Sequence, residues 1–106
     1  EVLLSITMLR EKLGKKVYET GILYIKMEEY ESAKISFQTV IDQYYDTNIV
    51  FLAQQGMIKA LVKNNEITEA ISLLNEFKTE LQEKGLFEQV DQIIKSFKKK
   101  NAAEKG

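Results

Sequence analysis

Apolar residues recur every three or four positions along most of the chain, which is the spacing of amphipathic helices rather than of strands. The first periodic stretch predicts one long helix over about residues 3–27, and it contains Gly14 and Gly21. A glycine inside a helix costs about 1 kcal/mol relative to alanine. We therefore expect contacts from outside the helix to offset both glycines.

Four more helices are predicted after it, separated by short polar breaks. The second contains Ala33 and Phe37 on its apolar face, and Asp46 or Thr47 is predicted to cap the third. Gly85 is predicted to end the fourth helix as a C-terminal cap. The last three helices are predicted at about residues 49–62, 68–84 and 86–99. The fold class predicted is therefore all-α.

An internal repeat with a period of 37 residues runs through these helices. Five apolar pairs share the separation: Tyr24 with Leu61, Tyr30 with Ile67, Ala33 with Ala70, Phe37 with Leu74, and Val40 with Phe77. A period in the mid-thirties, with two helices per unit, is typical of helical solenoids whose units bury apolar faces by stacking. It predicts repeats at about 14–47 and 48–84 and a terminal helix at 86–100. These form one domain over 1–100, and we expect 101–106 to be a frayed tail.

The first unit resembles the tetratricopeptide repeat. Its Gly, Tyr, large, Ala and aromatic positions correspond to Gly21, Tyr24, Tyr30, Ala33 and Phe37. The resemblance implies antiparallel helix pairs stacked as a right-handed solenoid with a terminal capping helix. In physical terms, the small residues let two helices approach closely and the aromatic rings fill the space between them.

Two positions depart from the tetratricopeptide pattern. Tyr45 replaces the proline expected after the second helix, and Ile58 stands where the second unit should have glycine. Gly56 lies nearby but out of register, and the sequence alone does not explain it. The second unit is therefore a degenerate repeat.

Four segments between Leu3 and Phe77 carry a second resemblance. They are Leu9–Leu13 leading into Tyr18, Tyr24–Lys26, Tyr30–Ala33, and Val40–Thr47 with its V-I-x-x-Y-Y-D-T pattern. Together they resemble the last repeats of the BamD (YfiO) family of outer-membrane assembly lipoproteins, whose corresponding ending is V-I-x-x-Y-P-D-T. Family members have about five repeats, so the resemblance implies a C-terminal fragment or a reduced version.

The BamD resemblance implies a scaffold for outer-membrane β-barrel assembly, lipid-anchored on the periplasmic face of the outer membrane. Its implied partner is a BamA-like barrel subunit or that subunit's periplasmic domains, with other assembly subunits as further candidates. The chain begins at Glu1 rather than Met, which suggests that a targeting or lipid-attachment segment was removed. The alternative is a generic cytoplasmic tetratricopeptide adaptor that binds a partner peptide or helix.

Composition argues against catalysis. The chain lacks His and Cys, which removes the usual general base, the commonest metal ligand and the strongest nucleophile. Its five glycines are isolated from one another, so no phosphate-binding loop is predicted. We expect a protein that is not an enzyme and that has no cofactor, no metal site and no small-molecule substrate.

The charge balance argues against nucleic acid as a partner. Fifteen basic and 16 acidic residues give a net charge of -1, so no overall field attracts a polyanion. No apolar run approaches the roughly 20 residues that a membrane-spanning helix needs. Membrane association is therefore expected only through the removed N-terminal lipid anchor.

The predicted binding face is formed by the first helix of each pair, as in tetratricopeptide folds. The repeat register places ten residues there: Lys15, Tyr18, Ile22, Ile25, Lys26, Leu52, Gln55, Lys59, Val62 and Lys63. An apolar face with a lysine margin suits an apolar partner segment edged with acidic groups or a terminal carboxylate. The alternative is that the terminal helix folds into this groove and covers it. A chaperone-tail receptor is disfavoured because Ile22 stands where that subfamily has Asn.

A second apolar stripe precedes the first repeat, at Val2, Ile6, Leu9 and Leu13. It has no obvious partner helix within the chain. Self-association or contact with a partner is one interpretation of it. The other is packing against residues upstream, or bending back over the first helix pair.

Overall fold

The computed structural model describes residues 2–105, apart from the side chains of residues 3 and 100–105. Five helices make up this range: α1 (Val2–Lys26), α2 (Tyr30–Gln43), α3 (Ile49–Lys63), α4 (Ile67–Glu83) and α5 (Phe87–Lys105). No strand occurs between residues 2 and 105. The all-helical fold class predicted from the periodicity is confirmed.

The helix boundaries follow the sequence pattern closely, except at the C-terminus. Residues 101–105, predicted to be frayed, continue α5 as far as Lys105, and Gly106 lies outside the described residues. The sequence has no proline, and no glycine between Gly85 and Gly106, to stop the helix earlier. The predicted end near Lys99 was therefore too early.

Consecutive helices are antiparallel, and α3 lies at the centre of the molecule. Gly14 of α1 faces Tyr44, just after the end of α2, whereas Gly21 of α1 faces Phe37 within α2. These two helices therefore run in opposite directions. The central helix α3 contacts all four of the other helices, whereas α1 and α5 do not contact each other within the described range. This packing is compatible with a helical repeat.

The Phe37 ring is wedged between two glycines on different helices. A Cβ atom at Gly21 of α1 would lie 2.6 Å from Phe37 Cε1, and one at Gly56 of α3 would lie 2.7 Å from the same atom. Real Cβ atoms do not approach a ring carbon this closely, so only glycine fits on either side of the buried ring. The same contact explains Gly56, which the repeat pattern did not.

The second unit fills the equivalent space with a different pair of residues. Ile58 and Leu74 stand 37 residues after Gly21 and Phe37, and both are buried. A leucine on α4 needs less room than a phenylalanine, so α3 can carry an isoleucine there in place of glycine.

Three of the four interhelical turns share one hydrogen-bonded form. Glu28, Asn65 and Gly85 have positive φ angles of 61°, 65° and 71°. In each turn the next residue's N–H donates to a carbonyl five residues back, at 2.8, 2.8 and 2.9 Å. This is the Schellman motif with its left-handed residue after the helix end. The predicted role of Gly85 is confirmed.

The connection between α2 and α3 is different, and the cap predicted there is wrong. Asn48 precedes α3 without a side-chain capping bond, while the Thr47 hydroxyl donates to the Tyr44 carbonyl at 2.6 Å. The Asp46 carboxylate instead binds the Arg10 side chain. A carboxylate of α1 replaces the expected cap: Glu11 Oε1 accepts a hydrogen bond from the Asn48 N–H at 2.9 Å. Negative charge at that helix N-terminus is favourable.

Candidate functional site

Helices α1, α3 and α5 lie side by side, with α3 in the middle, and form what we call the α1–α3–α5 face. Alternation of chain direction makes the three helices parallel to one another. The Gln55 amide of α3 donates to Gln89 of α5 at 3.4 Å, a long hydrogen bond that links two of them. All ten residues of the predicted binding site lie on α1 or α3.

The α1 members of that predicted site divide between surface and core. Ile25 is 7% exposed and belongs to the buried core, against which Ile22 also packs. The Tyr18 ring centroid lies 5.8 Å from that of Phe37 on α2, and burial raises the pKa of the Tyr18 hydroxyl. The exposed α1 members are Lys15 and Lys26. On α1, therefore, the apolar members mainly build the core and the lysines remain available to a partner.

The α3 members meet an open cavity between α3 and α5, here called the α3–α5 cavity, with a volume of about 420 Å³. Three predicted residues form its α3 wall: Lys59, Val62 and Lys63. Its α5 wall consists of Gln89, Gln92, Ile93, Ser96 and Phe97. The other two predicted α3 residues, Leu52 and Gln55, are half-buried and lie outside this lining.

The chemistry of the α3–α5 cavity is apolar with a positive edge. Val62 is 3% exposed and forms part of the wall together with the half-buried Ile93 and Phe97. Lys59 and Lys63 supply ammonium groups, and no carboxylate occurs among the described lining residues. Such a surface suits an apolar segment that carries acidic groups along one edge.

Sequence reasoning missed the contribution of α5 to this cavity. Gln55 and Gln89, Lys59 and Ile93, and Lys63 and Phe97 are each separated by 34 residues, which is the offset at which α3 and α5 stand side by side. Nothing in the residue types of these pairs indicates the offset, which only the tertiary packing of α3 and α5 reveals. The alternative in which the terminal helix fills the groove between α1 and α3 does not match the structure, since α5 contacts α3 and α4 but not α1 within the described range.

An arginine cluster fixes α1 against the α2–α3 connection. Arg10 Nη2 lies 2.7 Å from Asp46 Oδ1 and donates to the Gln43 carbonyl at 2.6 Å. Its guanidinium also lies 5.3 Å from the centroid of the Tyr44 ring. The hydrogen bond from Arg10 lowers the pKa of the Asp46 carboxyl below its ordinary value. These groups hold helices together and are oriented towards one another.

A second polar cluster fixes α2 against the α3–α4 turn. Lys34 Nζ lies 3.0 Å from Glu31 Oε1 and 2.9 Å from Glu66 Oε2. The Asn64 amide donates to the same two carboxylates at 3.0 and 2.7 Å. The hydrogen bond from Lys34 lowers the pKa of Glu66, and the hydrogen bond to Glu66 raises the pKa of Lys34. The two carboxylates are thus occupied in a structural contact.

The N-terminal apolar stripe is exposed. Val2, Ile6, Leu9 and Leu13 all have large exposed fractions, and the first three line a shallow depression of about 330 Å³ with Ser5. Their self-association, or contact with a partner, stays a prediction.

Comparisons with known proteins do not assign a family or a function to this chain. A scan against protein-family models, a search of curated proteins and a search of solved structures each found no match for this chain. Among the described residues, no helix is both long enough and apolar enough to cross a membrane. No group of three or more potential metal-ligating side chains occurs in the described part of the chain.

Proposed function

We propose that this chain is a protein-binding scaffold, built as a right-handed tetratricopeptide-like solenoid, whose α1–α3–α5 face binds a partner protein. The observation that carries the proposal is the α3–α5 cavity, where an apolar wall is edged by Lys59 and Lys63. The function we propose is binding and not catalysis, because the sequence lacks His and Cys, the usual general base and the strongest nucleophile.

The 37-residue period supports the solenoid part of the proposal, because it recurs in three dimensions. Glu28 and Asn65 are 37 residues apart and occupy the same place in two Schellman turns. Glu11 and Asn48 have the same separation and join α1 to α3 through a hydrogen bond. A repeat whose equivalent positions adopt equivalent conformations is what stacked units require.

We further propose that the chain is a BamD-like subunit of the machinery that assembles outer-membrane β-barrel proteins. In support, two of the segments that carry the resemblance, Leu9–Leu13 and Val40–Thr47, contact each other through Arg10 and Asp46. The partner would be a BamA-like barrel subunit or its periplasmic domains. The site of action would be the periplasmic face of the outer membrane, with a lipid anchor in the full-length protein.

A cytoplasmic adaptor is the second candidate function. The lysine-edged α3–α5 cavity would equally accept an acidic, amphipathic segment of a cytoplasmic protein. Its fold and its binding face would be the same as in the first proposal. The compartment and the partner distinguish the two candidates.

An affinity capture separates the two candidates. The chain, immobilised through its C-terminus, is exposed in parallel to detergent-solubilised envelope and to cytosol, and bound proteins are identified by mass. We expect capture of a large outer-membrane barrel protein with periplasmic repeats. Capture confined to cytosolic partners would overturn the BamD-like role and leave the adaptor proposal standing.

Two charge-reversed double variants test whether this capture depends on the α1–α3–α5 face. Lys59→Glu with Lys63→Glu should release the captured protein, because both lysines line the cavity. Lys12→Glu with Lys16→Glu makes the same charge change on exposed α1 positions with the same spacing, and should capture normally. Equal capture by both double variants would mean that binding occurs elsewhere.

A further inference from the structure

One side of α1 carries a row of exposed positions along the whole helix. The row begins with the N-terminal apolar stripe and continues, at the same alternating steps of three and four residues, through Lys16, Thr20, Leu23 and Met27. All eight positions are exposed, and the six apolar side chains have exposed fractions between 41% and 74%. We call this row the long α1 stripe. Such spacing keeps side chains on one face of a helix, where they can interlock with a second helix.

The internal repeat shows what covers the equivalent row in the second unit. Four positions of the stripe have counterparts on α3, 37 residues later, and all four counterparts are buried: Val50, Ala53, Met57 and Ala60. Val50 lines a cavity together with Ile41, and Met57 lines another together with Gln38, so this side of α3 lies against α2. Because α2 and α3 are antiparallel, the row on α1 is the kind of surface that accepts an antiparallel helix.

The two ends of the helical stack differ in polarity. Between residues 87 and 99 of α5, every exposed residue is polar or charged. A polar outer face is what a terminal helix needs to cap a solenoid in water. The long α1 stripe is mostly apolar instead, and an exposed apolar surface of this extent is typical of a protein contact.

The long α1 stripe is complementary to a second copy of itself that runs in the opposite direction. Its midpoint falls between residues 14 and 15, so a two-fold axis there places Val2 opposite Met27 of the second copy and Ile6 opposite Leu23. The two polar positions of the stripe, 16 and 20, then each face a leucine. A lysine in such a position covers apolar surface with its methylene groups while its ammonium stays in water. A parallel pair would instead place Lys16 against Lys16.

Charges beside the stripe favour the same arrangement. Lys12 and Glu19 flank the stripe on one edge, and both are exposed. Neither forms an ion pair within the part of the chain that the structure describes. The two-fold axis brings Lys12 of each copy beside Glu19 of the other, because the two residues lie at nearly equal distances on either side of the midpoint. Opposite charges at such flanking positions determine the orientation in which paired helices associate.

We propose that two copies of this chain associate through their long α1 stripes, with the two α1 helices antiparallel about a two-fold axis. The same surface is used by both copies, which is the commonest symmetry of protein dimers. No position of the long α1 stripe belongs to the ten predicted residues of the partner-binding site. The dimer therefore does not depend on the proposed partner and leaves the α3–α5 cavity free.

Sedimentation equilibrium of the whole chain gives the first test. Over a concentration range of about 1 µM to 1 mM, the average mass should rise from that of one chain to that of two and then stay constant. A mass of one chain throughout would overturn the proposal and leave the stripe to a different partner. Growth beyond two copies would also overturn it, since a two-fold contact closes at the dimer.

Two double variants with the same charge change locate the contact. Leu9→Glu with Leu23→Glu places carboxylates in the stripe and should weaken dimerisation about tenfold or more. Leu4→Glu with Met8→Glu is the matched control, because these side chains are 63% and 54% exposed on a different side of α1, and it should dimerise like the wild type. Circular dichroism verifies that both variants are helical. Equal dimerisation by the two double variants would contradict the proposal.

Cross-linking tests the direction of the two helices and does not require the glutamate variants to fold. The chain has no Cys, so an introduced thiol is the only one present. When Ile6→Cys chains are mixed with Leu23→Cys chains, a short bis-maleimide should join unlike chains, because positions 6 and 23 face each other across the two-fold axis. Cross-linking mainly between like chains would show that the helices are parallel and would overturn the antiparallel arrangement.

Discussion

Phe37 shows how one side chain determines the identity of residues on two other helices. Its ring leaves no space for a Cβ at Gly21 or Gly56, although the two glycines belong to α1 and α3. In the second unit the smaller Leu74 is matched by the larger Ile58. A glycine that weakens a helix locally can therefore be required by packing, and the helix tolerates it for that reason.

Gly21→Ala should destabilise the protein. The new Cβ would overlap the buried Phe37 ring, and overpacking of this kind costs about 1–3 kcal/mol, more than the roughly 1 kcal/mol that alanine contributes as a helix former. Thermal unfolding followed by circular dichroism measures the difference. Gly14→Ala is the control with a milder contact, because its Cβ would lie 3.3 Å from the half-buried Tyr44. This substitution should change the free energy of unfolding by less than about 1 kcal/mol.

A second substitution should relieve the overlap. Phe37→Leu in the Gly21→Ala background reproduces the space-filling seen at Ile58 and Leu74, so its cost should be smaller than in the wild-type background. A double-mutant cycle isolates this coupling, expected at about 0.5–3 kcal/mol. Additive effects of the two substitutions would mean that the ring and the glycine do not compete for the same space.

The Lys34–Glu66 ion pair predicts that the stability of the protein depends on pH. The hydrogen bond from Lys34 lowers the pKa of Glu66 below its ordinary value of 4.5. The ionised Glu66 carboxylate therefore stabilises the folded protein above pH 4.5, and this stabilisation is lost as the pH falls through the lowered pKa of the folded state. Lys34→Met should therefore flatten the fall in melting temperature on acidification below about pH 4.5. Lys12→Met, which removes an exposed lysine, should leave the slope unchanged. A slope in Lys34→Met equal to that of the wild type would contradict the assignment.

At the scale of elements, the turns show where local rules succeed and where they fail. Gly85 was predictable as a helix end because glycine accepts a positive φ without strain. Glu28 adopts nearly the same φ, and nothing in its residue type indicates it. The cap of α3 was mispredicted because the capping group, Glu11, comes from another helix, 37 residues before Asn48. Local patterns cannot reveal a partner that only the tertiary fold brings close.

Glu28→Gly should stabilise the chain. The position has a φ of 61°, a left-handed conformation that costs a non-glycine residue about 1–2 kcal/mol, so we expect the free energy of unfolding to rise by about 1 kcal/mol. Asn65→Gly should contribute less, because asparagine tolerates that region. Denaturant unfolding measures both changes.

A neighbouring glycine substitution provides the matched control for this prediction. Glu29→Gly changes the next residue, whose φ is -94°, so there is no strain to relieve. It should lower the stability or leave it unchanged, since glycine increases the freedom of the unfolded chain. Equal stabilisation by Glu28→Gly and Glu29→Gly would show that backbone strain at Glu28 is not the cause.

At the scale of the whole molecule, the helices stack in one direction. The molecule measures 59 × 29 × 16 Å with a radius of gyration of 14.8 Å, larger than the roughly 13 Å of a compact domain of about 100 residues. A thin, elongated stack exposes a large surface relative to its core. Two open cavities of different charge lie on this surface, one between α3 and α5 and one between α2, α3 and α4.

Periodicity alone was enough to predict five helices, because each buries one face and repeats its apolar residues accordingly. The binding site was harder to predict. Ile25 and Val62 follow the same helical spacing as surface members of the face, yet both are buried, and only packing decides between the two. The α5 wall of the cavity escaped prediction because the position of α5 beside α3 depends on tertiary contacts.

The most direct test of the proposed binding face is the affinity of the captured partner for the two charge-reversed double variants. Surface plasmon resonance on immobilised chain should show at least a tenfold loss for Lys59→Glu with Lys63→Glu and a response close to wild type for Lys12→Glu with Lys16→Glu. Circular dichroism should show equal helicity in all three proteins. Unchanged affinity for the Lys59 and Lys63 variant, with helicity intact, would contradict the assignment of the face.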